Sequence, residues 1–142
     1  MTDAESRDPA YVEHMLEAIG RIRRYVGRKR RAGFLGNALL QDAVIRNIEI
    51  IGEAAGRLSP EFAARHPGIP WREIVGMRHR LIHGYLKVNV ATVWEVVEQD
   101  LPSLKRDLQT LVAAPAQSVR PPAHKRGASP PSRTRRARRA KT

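Results

Sequence analysis

Apolar residues in this chain recur every three to four positions, in stretches cut apart by glycine and proline. That rhythm is the period of an α-helix that buries one face, and no stretch alternates with the two-residue period of a half-buried strand. The chain therefore reads as all-α: an up-and-down bundle of four to five helices. With 142 residues there is room for one domain and little more.

Asp8 and Pro9 suit the N-cap and first position of a first helix. Tyr11, Met15, Ile19, Ile22 and Val26 follow on one face, and Gly27 begins the exit. The basic run Arg28–Arg31 comes next. It can be a solvated helix end or a patch that contacts phosphate. Phe34 to about Leu58 forms a second helix with a broad apolar face. Gly52 and Gly56, four apart among alanines, predict close approach of a neighbouring helix. Arg46, Glu49 and Glu53 share one side of it, as an exposed ladder of ion pairs or as a polar line turned towards a site.

Ser59-Pro60-Glu61 predicts a cap and a short helix through Arg65, and His66–Pro70 predicts a loop. A third main helix runs from Trp71 to about Tyr85, loosened or ended by Gly84. The last runs from Val90 to about Val112. Pro102 should kink or split it, and Asp100 could cap the second piece.

From Ala114 the pattern stops. Residues 115–142 hold nine Lys+Arg and no acid, whereas residues 1–114 hold 17 Lys+Arg against 14 Asp+Glu. Most of the formal charge of +12 thus sits in a proline-studded tail that cannot bury enough surface to order itself. The expected division is a helical domain over 1–114 and a disordered basic tail over 115–142. The tail is either a solubilising extension or a salt-sensitive attractor of nucleic acid.

The chain has no cysteine, which removes disulfide frameworks, thiolate nucleophiles and Cys-ligated zinc. No apolar run is long enough for a membrane span, and the N-terminus lacks the pattern of a signal peptide. The expected location is the cytoplasm. Neither Gly-x-Ser-x-Gly nor a phosphate-binding Gly-Lys-Ser/Thr loop occurs.

Chemistry concentrates in Met77–Tyr85, which packs two Arg, two His and one Tyr into nine residues. His79 and His83 have the i, i+4 spacing of a metal pair, but Arg78 and Arg80 beside them would repel a divalent cation. The expectation is no metal and no cofactor. Arg78 and His83 make a better pair. Cleaving RNA requires a base near neutral pH for the 2′-hydroxyl and a fixed positive charge for the developing phosphorane. Imidazole and guanidinium supply these. Residues five apart lie about 140° apart on a helix, so the pair needs the helix end to loosen. Tyr85, seven from Arg78, falls on its face. The same residues could instead satisfy helix-end carbonyls or an interface.

Ile69-Pro70-Trp71, Arg78-x4-His83-x-Tyr85 and Val93-Trp94, with Ile50-Ile51-Gly52-Glu53-Ala54 before them, resemble a HepT-like member of the HEPN superfamily over about residues 10–112. The resemblance implies a HEPN-like helical bundle, a homodimer with the two motifs on a shared cleft, and a metal-independent RNA endonuclease. It implies the toxin of a type VII-like toxin–antitoxin pair. Its partner would be an MntA-type minimal nucleotidyltransferase that silences it by adding AMP to the motif tyrosine. Arg78 and His83 are then the catalytic pair and Tyr85 the modified residue, while His79 and Arg80 inherit no role. The alternative is a non-catalytic accessory subunit of the nucleotidyltransferase.

Overall fold

A computed structural model describes residues 3–83 and 87–118, with side chains over 3–81 and 88–113. The fold is an all-α, up-and-down bundle. The first helix, α1 (Asp3–Val26), packs along both α3 (Ala38–Gly56) and α8 (Leu101–Ser118). The core joins Met15, Ile19 and Ile22 of α1 to Val44, Ile48 and Ile51 of α3 and Leu108 of α8, all buried. The apolar periodicity read from the sequence is the periodicity of this core. The disordered tail expected from residue 115 on falls mostly outside the described residues. The backbone of α8 continues through Ser118, beyond the end expected near Val112.

Several helix ends differ from expectation. Helix α1 begins at Asp3 and carries Pro9 inside it, so Asp8 is not an N-cap. Its carboxyl group is buried and accepts from the Ser59 backbone N–H at 2.8 Å and the Ser59 hydroxyl at 2.6 Å. Ser59 in turn caps α4 (Pro60–Arg65), accepting from the Phe62 N–H. One buried carboxyl thus ties the start of the chain to the α3–α4 turn. Replacing it with Ala would strand a buried N–H and O–H. Asp8→Ala should therefore lower stability by about 2–3 kcal/mol, read from the urea midpoint. An unchanged midpoint would refute this account.

The second expected helix is two. Helix α2 (Arg31–Leu35) stops at Gly36, and Asn37 caps α3 by accepting from the Leu40 N–H. The glycine face of α3 meets a neighbour as predicted. A Cβ on Gly52 would lie 3.3 Å from the Ile74 carbonyl oxygen and 3.5 Å from that of Val75. Both belong to α5 (Trp71–Val75). The residue at 52 must be small for α5, and the helix that follows it, to seat here.

The last expected helix also divides. Asn89 caps α7 (Val90–Glu95), which passes into a π-helical turn over Val96–Asp100 before α8. In that turn the Leu101 N–H reaches back five residues to the Val96 carbonyl. The wide turn lets Pro102, which has no N–H, sit in the first turn of α8. Asp100 lies inside the π-helical turn rather than ahead of a helix, and its carboxylate pairs with Arg80 at 2.7 Å.

Candidate active site

The Arg/His stretch begins on a short helix. Gly76 closes α5 by donating to the Arg72 carbonyl at 2.9 Å, and α6 (Met77–Leu81) restarts at once. Met77 and Leu81 are buried and anchor α6, leaving Arg78, His79 and Arg80 exposed.

The single helix expected from Trp71 to Tyr85 is not formed. It is broken at Gly76 and ends at Leu81. In a continuing helix the Leu81 carbonyl would accept from residue 85. It accepts instead from the Asn89 N–H at 2.8 Å. Beyond that point the backbone is extended: β1 (Ile82–His83) runs antiparallel to β2 (Lys87–Val88), with Ile82 opposite Val88 and His83 opposite Lys87. His83 therefore leaves the helix two residues after its end. The 140° helical separation from Arg78 no longer applies, and neither does the i, i+4 geometry of His79 with His83. Among the described residues no group of three metal-binding side chains occurs. The side chain of His83 and the whole of Tyr85 lie outside the described residues. The helical register that would place Tyr85 on the face of Arg78 stops short of it.

The structure distinguishes the two arginines of α6. Arg80 is held by Asp100 in a short hydrogen-bonded ion pair. Arg78 is looser. Its Nε lies 3.9 Å from Glu49 Oε1, and the other oxygen of Glu49 lies 3.7 Å from Arg46 Nη1. The Arg78 side chain is 63% exposed. A pair this long and this wet is worth about 0–1 kcal/mol, little enough for a phosphate to displace it. A carboxylate at this distance orients the guanidinium without occupying its fork, which remains able to grip two phosphate oxygens. Of the two readings open for Arg46, Glu49 and Glu53, both hold in part. Glu53 pairs outward with Arg57 at 3.2 Å, while Glu49 turns to the site. The sequence signal for this was Gly52: one turn beyond Glu49, it seats the carbonyls of α5 and so brings α6 alongside.

The bundle thus presents an arginine from a short helix, with the backbone of His83 extended just beyond that helix's end. The chain belongs to the ribonuclease HepT-like family, whose model matches residues 15–111. A Thermococcus cleftensis protein named "probable ribonuclease HepT" is 43% identical over 101 residues, covering 71% of this chain and 92% of that protein. A Methanocaldococcus jannaschii protein whose name joins γ-glutamylcyclotransferase to an RNase designation is 45% identical over 98 residues. That match covers 69% of this chain, and the chain spans only 44% of the relative's length. The fold matches a solved structure of a tri-AMPylated HEPN toxin from Shewanella oneidensis in complex with an MNT antitoxin. The TM-score is 0.53 at 22% identity, covering 80% of this chain and 99% of that one.

Proposed function

We propose that this protein is a metal-independent RNA endonuclease that acts as the toxin of a toxin–antitoxin pair. Arg78 clamps the scissile phosphate and neutralises the phosphorane. His83 takes the 2′-hydroxyl proton, and the oxygen it frees attacks the adjacent phosphorus. The bond to the 5′-oxygen breaks as that oxygen regains a proton, leaving a 2′,3′-cyclic phosphate. Two copies pair across a shared cleft, which doubles the positive potential offered to RNA. The observation that carries this reading is the contrast within α6: Arg80 is held by Asp100 at 2.7 Å, whereas Arg78, 3.9 Å from Glu49, is only weakly held on the short helix that leads to His83. Membership of the HepT-like family supports it.

The partner is a minimal nucleotidyltransferase, and the silencing step is transfer of AMP to Tyr85. The tyrosine oxygen attacks the α-phosphorus of ATP, pyrophosphate leaves, and the phenolic proton is lost. The new phosphate, two residues from His83, would compete for Arg78. The solved HEPN toxin in its AMPylated, antitoxin-bound form supports this part of the reading. We place the end of the helical domain at the end of α8, Ser118, rather than at residue 114, and the place of action in the cytoplasm. Among the described residues no helix is long and apolar enough to cross a membrane.

The test is cleavage of single-stranded RNA by the purified chain in excess EDTA, before and after co-expression with the nucleotidyltransferase. The expected result is cleavage with EDTA present, lost when mass spectrometry shows AMP on the Tyr85 peptide. No cleavage by the unmodified chain would favour the accessory-subunit reading.

A further inference from the structure

The basic run Arg28–Arg31 plays no part in the site just described, yet the fold gives it a place. Gly27 takes a left-handed backbone at φ 55° and accepts the turn that ends α1. The Lys29 N–H then folds back onto the Val26 carbonyl. This brings Lys29, Arg30 and Arg31 over the end of α1, where they face α8. Together with Arg23 they line one side of an open groove of about 930 Å³, and Lys105 and Arg106 line the other. Six cations thus converge on one groove that holds a single acid, Glu98. The ion pairs among the described residues use Arg46, Arg57, Arg65, Arg78 and Arg80, and none uses these six. Like charges gathered with so little counter-charge cost the fold stability unless something else neutralises them.

We propose that this groove holds the sugar–phosphate backbone of an RNA strand, as a second contact away from Arg78. The identity of the strand rests on the ribonuclease reading above; the groove's preference for a polyanion does not. A second copy related by a two-fold axis through this face would oppose its cations with their own kind. The chain's tail is basic and is repelled for the same reason. The floor also says how the strand is held. Trp94, the one aromatic side chain lining the groove, is buried at 7% exposure and packs on Phe34, so it offers no face for a base to stack on. Contact is therefore through phosphates and independent of base sequence. Helix α7 touches both α2, on the groove's wall, and α6, which carries Arg78, so a strand on the groove and a phosphate at Arg78 engage neighbouring parts of one scaffold.

The experiment measures binding of a single-stranded 2′-O-methyl RNA of about 16 nucleotides. It lacks the free 2′-hydroxyl, so binding is read apart from cleavage. The full chain, Lys29→Gln/Arg30→Gln, Lys105→Gln/Arg106→Gln and the quadruple variant are titrated across a salt series. Each phosphate-binding cation removed should flatten the salt slope by about 0.7, so the quadruple variant should lose about 2–3 and bind more than about tenfold more weakly at low salt. Each pair should give about half of that effect, because both walls contribute. A charge-keeping variant, Lys29→Arg/Lys105→Arg, should bind as the parent does. An unchanged slope in the quadruple variant would overturn the proposal. So would a shift in sedimentation from dimer to monomer, which would make the groove an interface between copies. Retained RNA binding with lost binding of a polyglutamate peptide would overturn it in favour of an acidic protein partner. If the slope falls as expected but the parent chain cleaves no RNA, the groove stands and the ribonuclease reading fails.

Discussion

Replacing His83 with Ala should reduce RNA cleavage by about 10²–10⁴-fold, the usual worth of a positioned general base. Arg78→Ala should cost about 10²–10³-fold, as removal of a charge aimed at a developing oxyanion does. The two losses should not add, because both residues serve one transition state and the second deletion finds little left to remove. Arg78→Lys should recover only part of the loss, since an ammonium keeps the charge and loses the two-pronged grip. Arg80→Ala separates a positional effect from a general loss of charge. Arg80 is engaged by Asp100, so its removal should leave cleavage within a few-fold of the parent while removing that ion pair. Equal losses from Arg78→Ala and Arg80→Ala would mean that the α6 arginines act only through bulk charge. The readout is initial rate on a defined RNA, with sedimentation showing that the assembly survives each substitution.

The helical class and the core were legible because both follow from local period. Ile19, Ile48 and Leu108 sit where their spacing puts them. The Ser59-Pro60 start was also legible, since a hydroxyl cap and a proline at the first helical position act within one turn. Errors arose where a distant group won. Asp8 had every local mark of an N-cap, but its partner is Ser59, 51 residues on. Asp100 was equally plausible as a cap, but Arg80 claims it. The end of α6 depended on the Asn89 N–H taking the Leu81 carbonyl, a competition between segments that no window of sequence contains. The break at Gly36-Asn37 was different. A glycine stop followed by an Asn cap is a local signal, obscured by the apolar run continuing through it. At the site, the motif residues were readable, whereas the tie from Glu49 to Arg78 depended on how α5 seats on Gly52.

Phe34→Ala should be among the most destabilising single changes in the chain, at about 3–5 kcal/mol. Helix α2 has five residues, too few to stand alone, and must be held from outside. Two attachments hold it. The Gln41 side chain donates to the Phe34 and Leu35 carbonyls, and the Phe34 ring, fully buried, packs on Trp94 with centroids 5.3 Å apart. Removing the ring opens a cavity beneath α2 in a domain whose whole stability should be about 5–15 kcal/mol. Phe34→Leu fills most of that space and should cost less than about 1.5 kcal/mol. Leu39→Ala, at a side chain 81% exposed, should stay within about 0.5 kcal/mol of the parent. Urea denaturation of the three variants ranks them directly. Because Arg30 and Arg31 stand at the start of α2, Phe34→Ala should also weaken binding of the uncleavable RNA under conditions where the domain remains folded. Phe34→Ala no less stable than Leu39→Ala would show that α2 is held by something other than its ring. The groove would then keep its wall when the ring is gone.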